Sequence, residues 1–549
     1  MQRILQTVTL GLFLFLLWLA AFPLLTPYPP LPPDLFLRTD PLIFTGTCLG
    51  SRAFIASLWI VPLLFLLTMC IGRFYCSTFC PMGTSIDLAD RMIAPPRKKE
   101  KKAFHAGPKH YKYLFLLLIL GAALSGLSFV FLGSPLSLAT RFYGLIMYPL
   151  LCLIAKSGLE FVRPLANELN ITSLVYADTE VPRFALQWVT ALTVLGIFAC
   201  ARISPRFWCR NLCPAAALFA LFSFRPLIRR QVSEDCIHCG KCQRECPMNA
   251  IRDNPLTTDH RECIACQHCV ALCPAEAIRF SSAASVYDAL DALQHIPSDF
   301  SADRRQVLGA AASGMGMALL SKSSLPFRQN DIVPGEMLHP ALIRPPGALP
   351  ENDFLSRCVR CGECMKVCPT NTLQPVGLTC GLYAFFSPSV SPRRGPCEPM
   401  CNACGQVCPT GAIAPLSPEE KIRAKIGTAH ILRHKCLAWE MDRKCLVCDE
   451  VCPYNAIYLK SLPESKVPVP FVNENRCAGC GFCEYHCPVQ ARAAIIVEPM
   501  EALRLKKGSY IEKSRDIGLD LRIRKGKPSY QDTDSKEAGD SGLPPGFTE

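Results

Sequence analysis

Residues 236–247 read CIHCGKCQRECP and residues 263–274 read CIACQHCVALCP. Each is a C-x2-C-x2-C triplet closed three residues later by Cys-Pro, the spacing with which four thiolates hold a [4Fe-4S] cube. In a two-cluster unit the fourth cysteine serves the other cluster. The spacing therefore predicts one cube on Cys236, Cys239, Cys242 and Cys273, and a second on Cys263, Cys266, Cys269 and Cys246. A zinc ribbon would show two C-x2-C pairs, not a triplet with a distant Cys-Pro.

Outward from this pair, the pattern recurs toward the carboxy terminus. Cys358, Cys361, Cys364, Cys368 and Cys477, Cys480, Cys483, Cys487 keep the regular spacing. Two inner motifs are stretched: Cys397, Cys401, Cys404, Cys408 and Cys436, Cys445, Cys448, Cys452. Regular motifs outside irregular ones suggest nested pairing. That predicts cubes on Cys358, Cys361, Cys364 with Cys487, and on Cys477, Cys480, Cys483 with Cys368. The inner pair would be Cys397, Cys401, Cys404 with Cys452, and Cys436, Cys445, Cys448 with Cys408. Sequential pairing is the alternative, and it changes only the fourth ligand of each set. Two C-x3-C-P pairs, Cys76/Cys80 and Cys209/Cys213, stand further upstream.

Composition removes competing classes. The 549 residues contain 33 cysteines, but a chain of this length with cysteines in threes is not a small disulfide scaffold. A net charge of +13 could indicate nucleic acid. The positive charge, however, concentrates beside apolar runs, as in the cytoplasmic loops of membrane proteins. No C-x-x-C-H, G-x-x-x-x-G-K-[ST] or G-x-G-x-x-G occurs, which argues against haem c and nucleotide binding. His238 and His268 lie within triplets, where they are expected near a cluster rather than on a metal. Cys48, Cys70, Cys152, Cys200 and Cys380 belong to no motif and read as structural.

Residues 1–231 form the predicted membrane domain. Ile4–Leu25, Ala53–Ile71, Tyr113–Leu132 and Ala185–Ile203 are long and apolar enough to be candidate spans. Phe142–Ala155 is shorter, contains Pro149 and reads as re-entrant or interfacial. Arg73–Lys112 carries nine Lys/Arg against three Asp/Glu, and Arg202–Arg230 six Arg and no acid. Both should be cytoplasmic, and an even number of crossings between them gives four spans with the amino terminus inside. The two C-x3-C-P pairs then meet at one cytoplasmic membrane edge. Cys76, Cys80, Cys209 and Cys213 become a candidate seventh site, suited to iron-sulfur or zinc.

The domain plan continues with a two-cluster unit at 232–280 and a linker at 281–350. A four-cluster unit follows at 351–500, and a polar tail at 501–549. In the linker, Arg304-Arg305 precedes a weakly apolar run, Val307–Leu320, which reads as a twin-arginine export signal or as a charged turn before a small helix. The expected fold class is an α-helical membrane bundle of about four spans fused to α+β bacterial-type ferredoxin domains, two clusters and then four.

RFYCSTFCPMG at 73–83 and RFWCRNLCPAAAL at 206–218, followed by a two-cluster unit, resemble NapH/MauN-type membrane ferredoxins. From the twin arginine onward, RCVRCGECMKVCPTNTLQP at 357–375 and CNACGQVCPTGAI at 401–413 resemble NapG/MauM-type ferredoxins. The resemblance implies a natural fusion of two partner proteins. It implies oxidation of membrane quinol and electron delivery to a periplasmic cytochrome or reductase. The expected location is the bacterial inner membrane, with the first unit cytoplasmic and the last periplasmic. An electron-supplying maturation factor for another metalloenzyme is the alternative. The cofactors expected are six [4Fe-4S] clusters and the candidate seventh site.

Overall fold

The computed structural model describes residues 2–20, 32–93, 111–176, 180–224, 226–251, 254–282, 304–323, 328–329, 337–338 and 342–523. Parts of the expected first span, basic loop, linker and tail lie outside them.

Apolar runs fold into a helical bundle. Its helices are α1 (Gln2–Leu19), α2 (Pro41–Ser51), α3 (Ile60–Ile71), α4 (Pro81–Ile93) and α5 (Tyr111–Leu124). They continue with α6 (Pro135–Glu168), α7 (Gln187–Ala199) and α8 (Pro214–Phe222). Leu16, Leu42, Ile43, Val61, Ile119, Leu136 and Phe219 fill the core, while Phe15, Leu66, Leu192 and Leu195 face outward.

Only α1 and α6 are long and apolar enough to cross a bilayer among the described residues. The expected spans at 53–71, 113–132 and 185–203 appear as shorter apolar helices. Phe142–Ala155 is no isolated short segment. It lies inside the 34-residue α6, because Pro149 sits in the first turn after a widened helical turn at Tyr143–Met147 and breaks nothing. Several prolines instead start helices: Pro41, Pro81, Pro135 and Pro214 each occupy the first helical position, where a missing N–H costs nothing.

The twin-arginine segment folds as α9 (Arg304–Ser323) and lies along α5. A Cβ on Gly121 would collide with Ala311 O, and one on Gly314 with Leu118 O, so the backbones touch. Small residues permit this approach, as in packed membrane helices. Ala318 joins the core that holds Ala122 and Leu127.

Two cysteine-rich modules flank the bundle. In the amino-terminal one, β1 (Arg229–Val232) pairs antiparallel with β2 (Ile278–Ser281), closing the sheet around both motifs. The carboxy-terminal module repeats that plan twice. Ala348 bridges Ile413 around its first and second motifs, with β3 (Leu373–Pro375) pairing β4 (Pro388–Val390) between them. β5 (Thr428–Ile431) pairs β8 (Ile495–Glu498) around the third and fourth motifs, with β6 (Ile457–Lys460) and β7 (Val469–Val472) between. Residues 501–523 are not a free tail. Arg504 pairs with Glu351, and α10 (Tyr510–Asp516) buries Tyr510 against Leu416 and Leu503.

The modules dock at opposite ends of the same helices. Before α3, Ser57 Oγ donates to Pro409 O; after it, Arg73 Nη1 donates to Arg261 O and pairs with Glu262. At the start of α5, Lys112 pairs with Glu262; beyond its end, Phe131 lies under the Arg360 guanidinium. Before α7, Ala185 N donates to Gln374 Oε1.

Candidate metal centres

Every triplet, regular or stretched, carries its third cysteine on a short helix. Cys242, Cys269, Cys364, Cys404, Cys448 and Cys483 occupy helices 241–244, 268–272, 363–366, 403–406, 447–450 and 482–486. Just before the second cysteine, His238, Ala265 and Arg360 take φ of 50–51°. Left-handed backbone in non-glycine residues costs about 1–3 kcal/mol and persists where the surroundings over-determine it. Backbone N–H groups then point at sulfur: Ala250 at Cys246, Ala429 at Cys477, Ala456 at Cys452 and Ala494 at Cys487.

The thiols gather in fours around cavities. Cys246, Cys263, Cys266 and Cys269 line one of about 380 Å³, with His268 in its wall. Cys236, Cys239 and Cys242 lie within electrostatic reach of one another. Cys273 closes the helix that packs against the one carrying Cys242. Arg230 lies between these two sites, donating to Cys242 Sγ at 3.6 Å and to Cys269.

In the carboxy-terminal module the fourth partners differ from the nested expectation. Cys408, not Cys487, stands by Cys358, Cys361 and Cys364. Cys368, not Cys452, shares a cavity of about 370 Å³ with Cys397, Cys401 and Cys404. Cys452, not Cys368, shares one of about 320 Å³ with Cys477, Cys480 and Cys483. Cys487, not Cys408, joins Cys436, Cys445 and Cys448 around about 400 Å³. Strand closure is the reason: each outer pairing encloses two consecutive motifs, so fourth cysteines are exchanged within that unit. The stretched spacings only lengthen loops between cysteines of one triplet.

Cys76, Cys80, Cys209 and Cys213 also meet, around about 440 Å³ walled by Tyr75, Met82, Leu136 and Trp208. This cavity lies among the bundle helices. α8 leads from it toward the amino-terminal module, Ser223 after α8 donating to His260 O, and Asp87 on α4 pairs with Arg206, which lies within electrostatic reach of Cys266. α2 and α6 lead the other way, Gly50 abutting Ser356 and Ser137 donating to Val359 O. Cys152 and Cys380 are buried and Cys48, Cys70 and Cys200 half-buried, apart from these cavities.

The residues present fit anionic clusters. Among the described residues no His, Cys, Asp or Glu group closes around a single ion, whose Zn–S bonds would be about 2.3 Å. Burial pushes the Cys263 thiol up to about 12 and the Cys358 thiol to about 11, so without a metal both stay protonated at neutral pH. Arg206, Arg344, Arg360 and Lys112 rank among the largest fully buried side chains, and Asp87, Glu351 and Glu262 pair with Arg206, Arg344 and Lys112. Nε and Nη1 of Arg360, inside the first carboxy-terminal motif, are buried without hydrogen-bond partners among the described residues. A buried cation needs counter-charge, and four thiolates on a cube supply it. The cysteine motifs were legible in the sequence; these buried arginines were not, because nothing in their spacing marks them.

Family models place a 4Fe-4S dicluster domain at residues 228–274 and another at 443–491, and 4Fe-4S binding domains at 354–374 and at 53–102 with 186–231. The methylamine utilization ferredoxin-type protein MauM of Methylorubrum extorquens is 33% identical over 214 residues, 37% of this chain and 91% of that protein. MauM of Paracoccus denitrificans is 36% identical over 36% of this chain and 88% of that protein. The ferredoxin-type protein NapG of Escherichia coli is 36% identical over 31% and 75% respectively.

Proposed function

Since the chain belongs to the family of MauM and NapG ferredoxin-type proteins, with which it shares an iron-sulfur electron-transfer function, we propose that it relays electrons across a membrane between the quinone pool and a redox partner. One observation carries this reading: two cysteine modules docked on opposite ends of an apolar bundle, with a four-cysteine cavity between them. The amino-terminal half contributes a NapH/MauN-like membrane part, and α9 is the link between sides. Its 20 residues reach about 30 Å, the thickness of a hydrocarbon core. Basic segments at 73–112 and 202–230 assign the amino-terminal module to the cytoplasm and the carboxy-terminal one to the periplasm.

The proposed ligand sets are Cys236, Cys239, Cys242, Cys273 and Cys263, Cys266, Cys269, Cys246 in the first module. In the second they are Cys358, Cys361, Cys364, Cys408; Cys397, Cys401, Cys404, Cys368; Cys477, Cys480, Cys483, Cys452; and Cys436, Cys445, Cys448, Cys487. A bound cube supplies one-electron chemistry at each set. The protein's part is spacing and charge. Cys404 lies within reach of Cys364, Cys397 N donates to Cys480 O at 2.7 Å, and Cys448 lies within reach of Cys483. The four sets therefore follow in file from the bundle outward.

Membranes holding the chain are mixed anaerobically with a quinol analogue and the visible cluster absorbance is followed. Bleaching is expected. Unbleached membranes that dithionite still bleaches would overturn the quinol assignment.

A further inference from the structure

The cavity of Cys76, Cys80, Cys209 and Cys213 lies where bundle helices are interrupted. α4 starts immediately after Cys80 and α8 immediately after Cys213. Gly83 N donates to Cys80 Sγ at 3.4 Å, and Ala216 N makes the matching bond to Cys213. Each C-x3-C-P pair thus ends in a thiol seated on a helix N-terminus, where the macrodipole presents about half a positive charge. The facing ends of α2 and α6 are already served, because Asp40 accepts from Leu42 N, Ile43 N, Leu136 N and Ser134 Oγ.

A second donor points to a ligand independently of these helix ends. Trp208 lines the cavity, is 9% exposed, and its indole N–H is buried with no partner among the described residues. Leaving such a donor unpaired costs about 1–3 kcal/mol, and cluster sulfur is an acceptor of the required kind. Arg73, wholly buried and within electrostatic reach of Cys76 and Cys213, adds positive charge nearby. On the other flank, Val359 and Cys361 pack in the same apolar core as Cys213. Arg206, which donates to Cys76 O, lies within reach of Cys266.

We propose that Trp208 is a positioning residue whose indole N–H stabilises the reduced state of an iron-sulfur centre on Cys76, Cys80, Cys209 and Cys213, the cysteine pairs that lie within the segments matched as a 4Fe-4S binding domain. The proposal rests on the iron-sulfur relay reading above. It makes the C-x3-C-P pairs a junction between the Cys263–Cys269 site and the Cys358–Cys364 site.

The test uses the full chain in detergent, with iron analysis and a dithionite titration followed by electron paramagnetic resonance. Trp208→Phe should keep the wild-type iron content while one signal moves to lower potential and the rest stay. Cys209→Ser should lose that same signal with its share of iron. A Trp208→Phe titration identical to wild type overturns the proposal, as does a Cys209→Ser protein with every signal intact. Should Cys209→Ser not accumulate, Trp208→Phe decides alone. A wild-type chain without cluster signals would instead sink the relay reading itself.

Discussion

Glu351 is a carboxylate buried between two guanidinium groups that come from distant parts of the chain. Arg344 Nη2 reaches its Oε1 at 2.5 Å, and Arg504 Nη1 reaches its Oε2 at 2.8 Å. Burial alone would raise its pKa, but the two arginines outweigh that and hold it down at about 2. An unfolded glutamate titrates near 4.3. The difference contributes about 3 kcal/mol that is complete above about pH 4.3 and is lost as the pH falls through about 2. Glu351→Gln removes the charge that Arg344 and Arg504 pair with and should cost about 3–5 kcal/mol at pH 7. Urea titration of the visible cluster absorbance checks this. The gap between variant and wild-type midpoints should hold from pH 8 to about 5 and narrow only below about 4.3. A constant gap down to pH 3 would mean that the carboxylate charge is not what matters. Arg504 falls where the sequence reads as polar tail, since a lone arginine carries no sign of a partner 153 residues away.

The pairing of α5 with α9 rests on glycine, and glycines on one helix should behave oppositely. Gly314→Ala forces its new methyl against Leu118 O and must part the helices, whereas Gly316 has nothing within 4 Å. Gly316→Ala should be neutral or gain up to about 1 kcal/mol from helix propensity, while Gly314→Ala should lower the thermal midpoint in detergent. Equal behaviour of the two would remove the contact. At this scale sequence and structure part company for a definable reason. The triplets of Cys236–Cys242 and Cys358–Cys364 are legible because three ligands within seven residues leave little conformational choice. Their fourth partners are not, because β5 and β8 choose them across a separation that spacing does not encode. The meeting of Cys76/Cys80 with Cys209/Cys213 was legible as a duplicated motif. Where the bundle helices restart was not, since an apolar run reads the same whether its helix is whole or starts midway at Pro81 or Pro214.

Across the whole molecule, α3, α5 and α7 connect two modules that never share an end, so sidedness decides what the protein can do. If α9 carries the chain through the bilayer alongside α5, then Glu549 and the basic stretch at 97–102 must lie on opposite sides. Charge favours the basic stretch inside, because it belongs to a segment with nine Lys/Arg against three Asp/Glu. An epitope appended after Glu549 should be removed by protease added to sealed spheroplasts and protected in inverted vesicles. An epitope inserted at 97–102 should show the reverse. Both variants must retain wild-type iron, so that a misfolded chain is not read as a topology. Two epitopes cleaved from the same side would confine both modules to one compartment. The bundle would then anchor the relay without carrying electrons across, and a periplasmic acceptor would have no route to it.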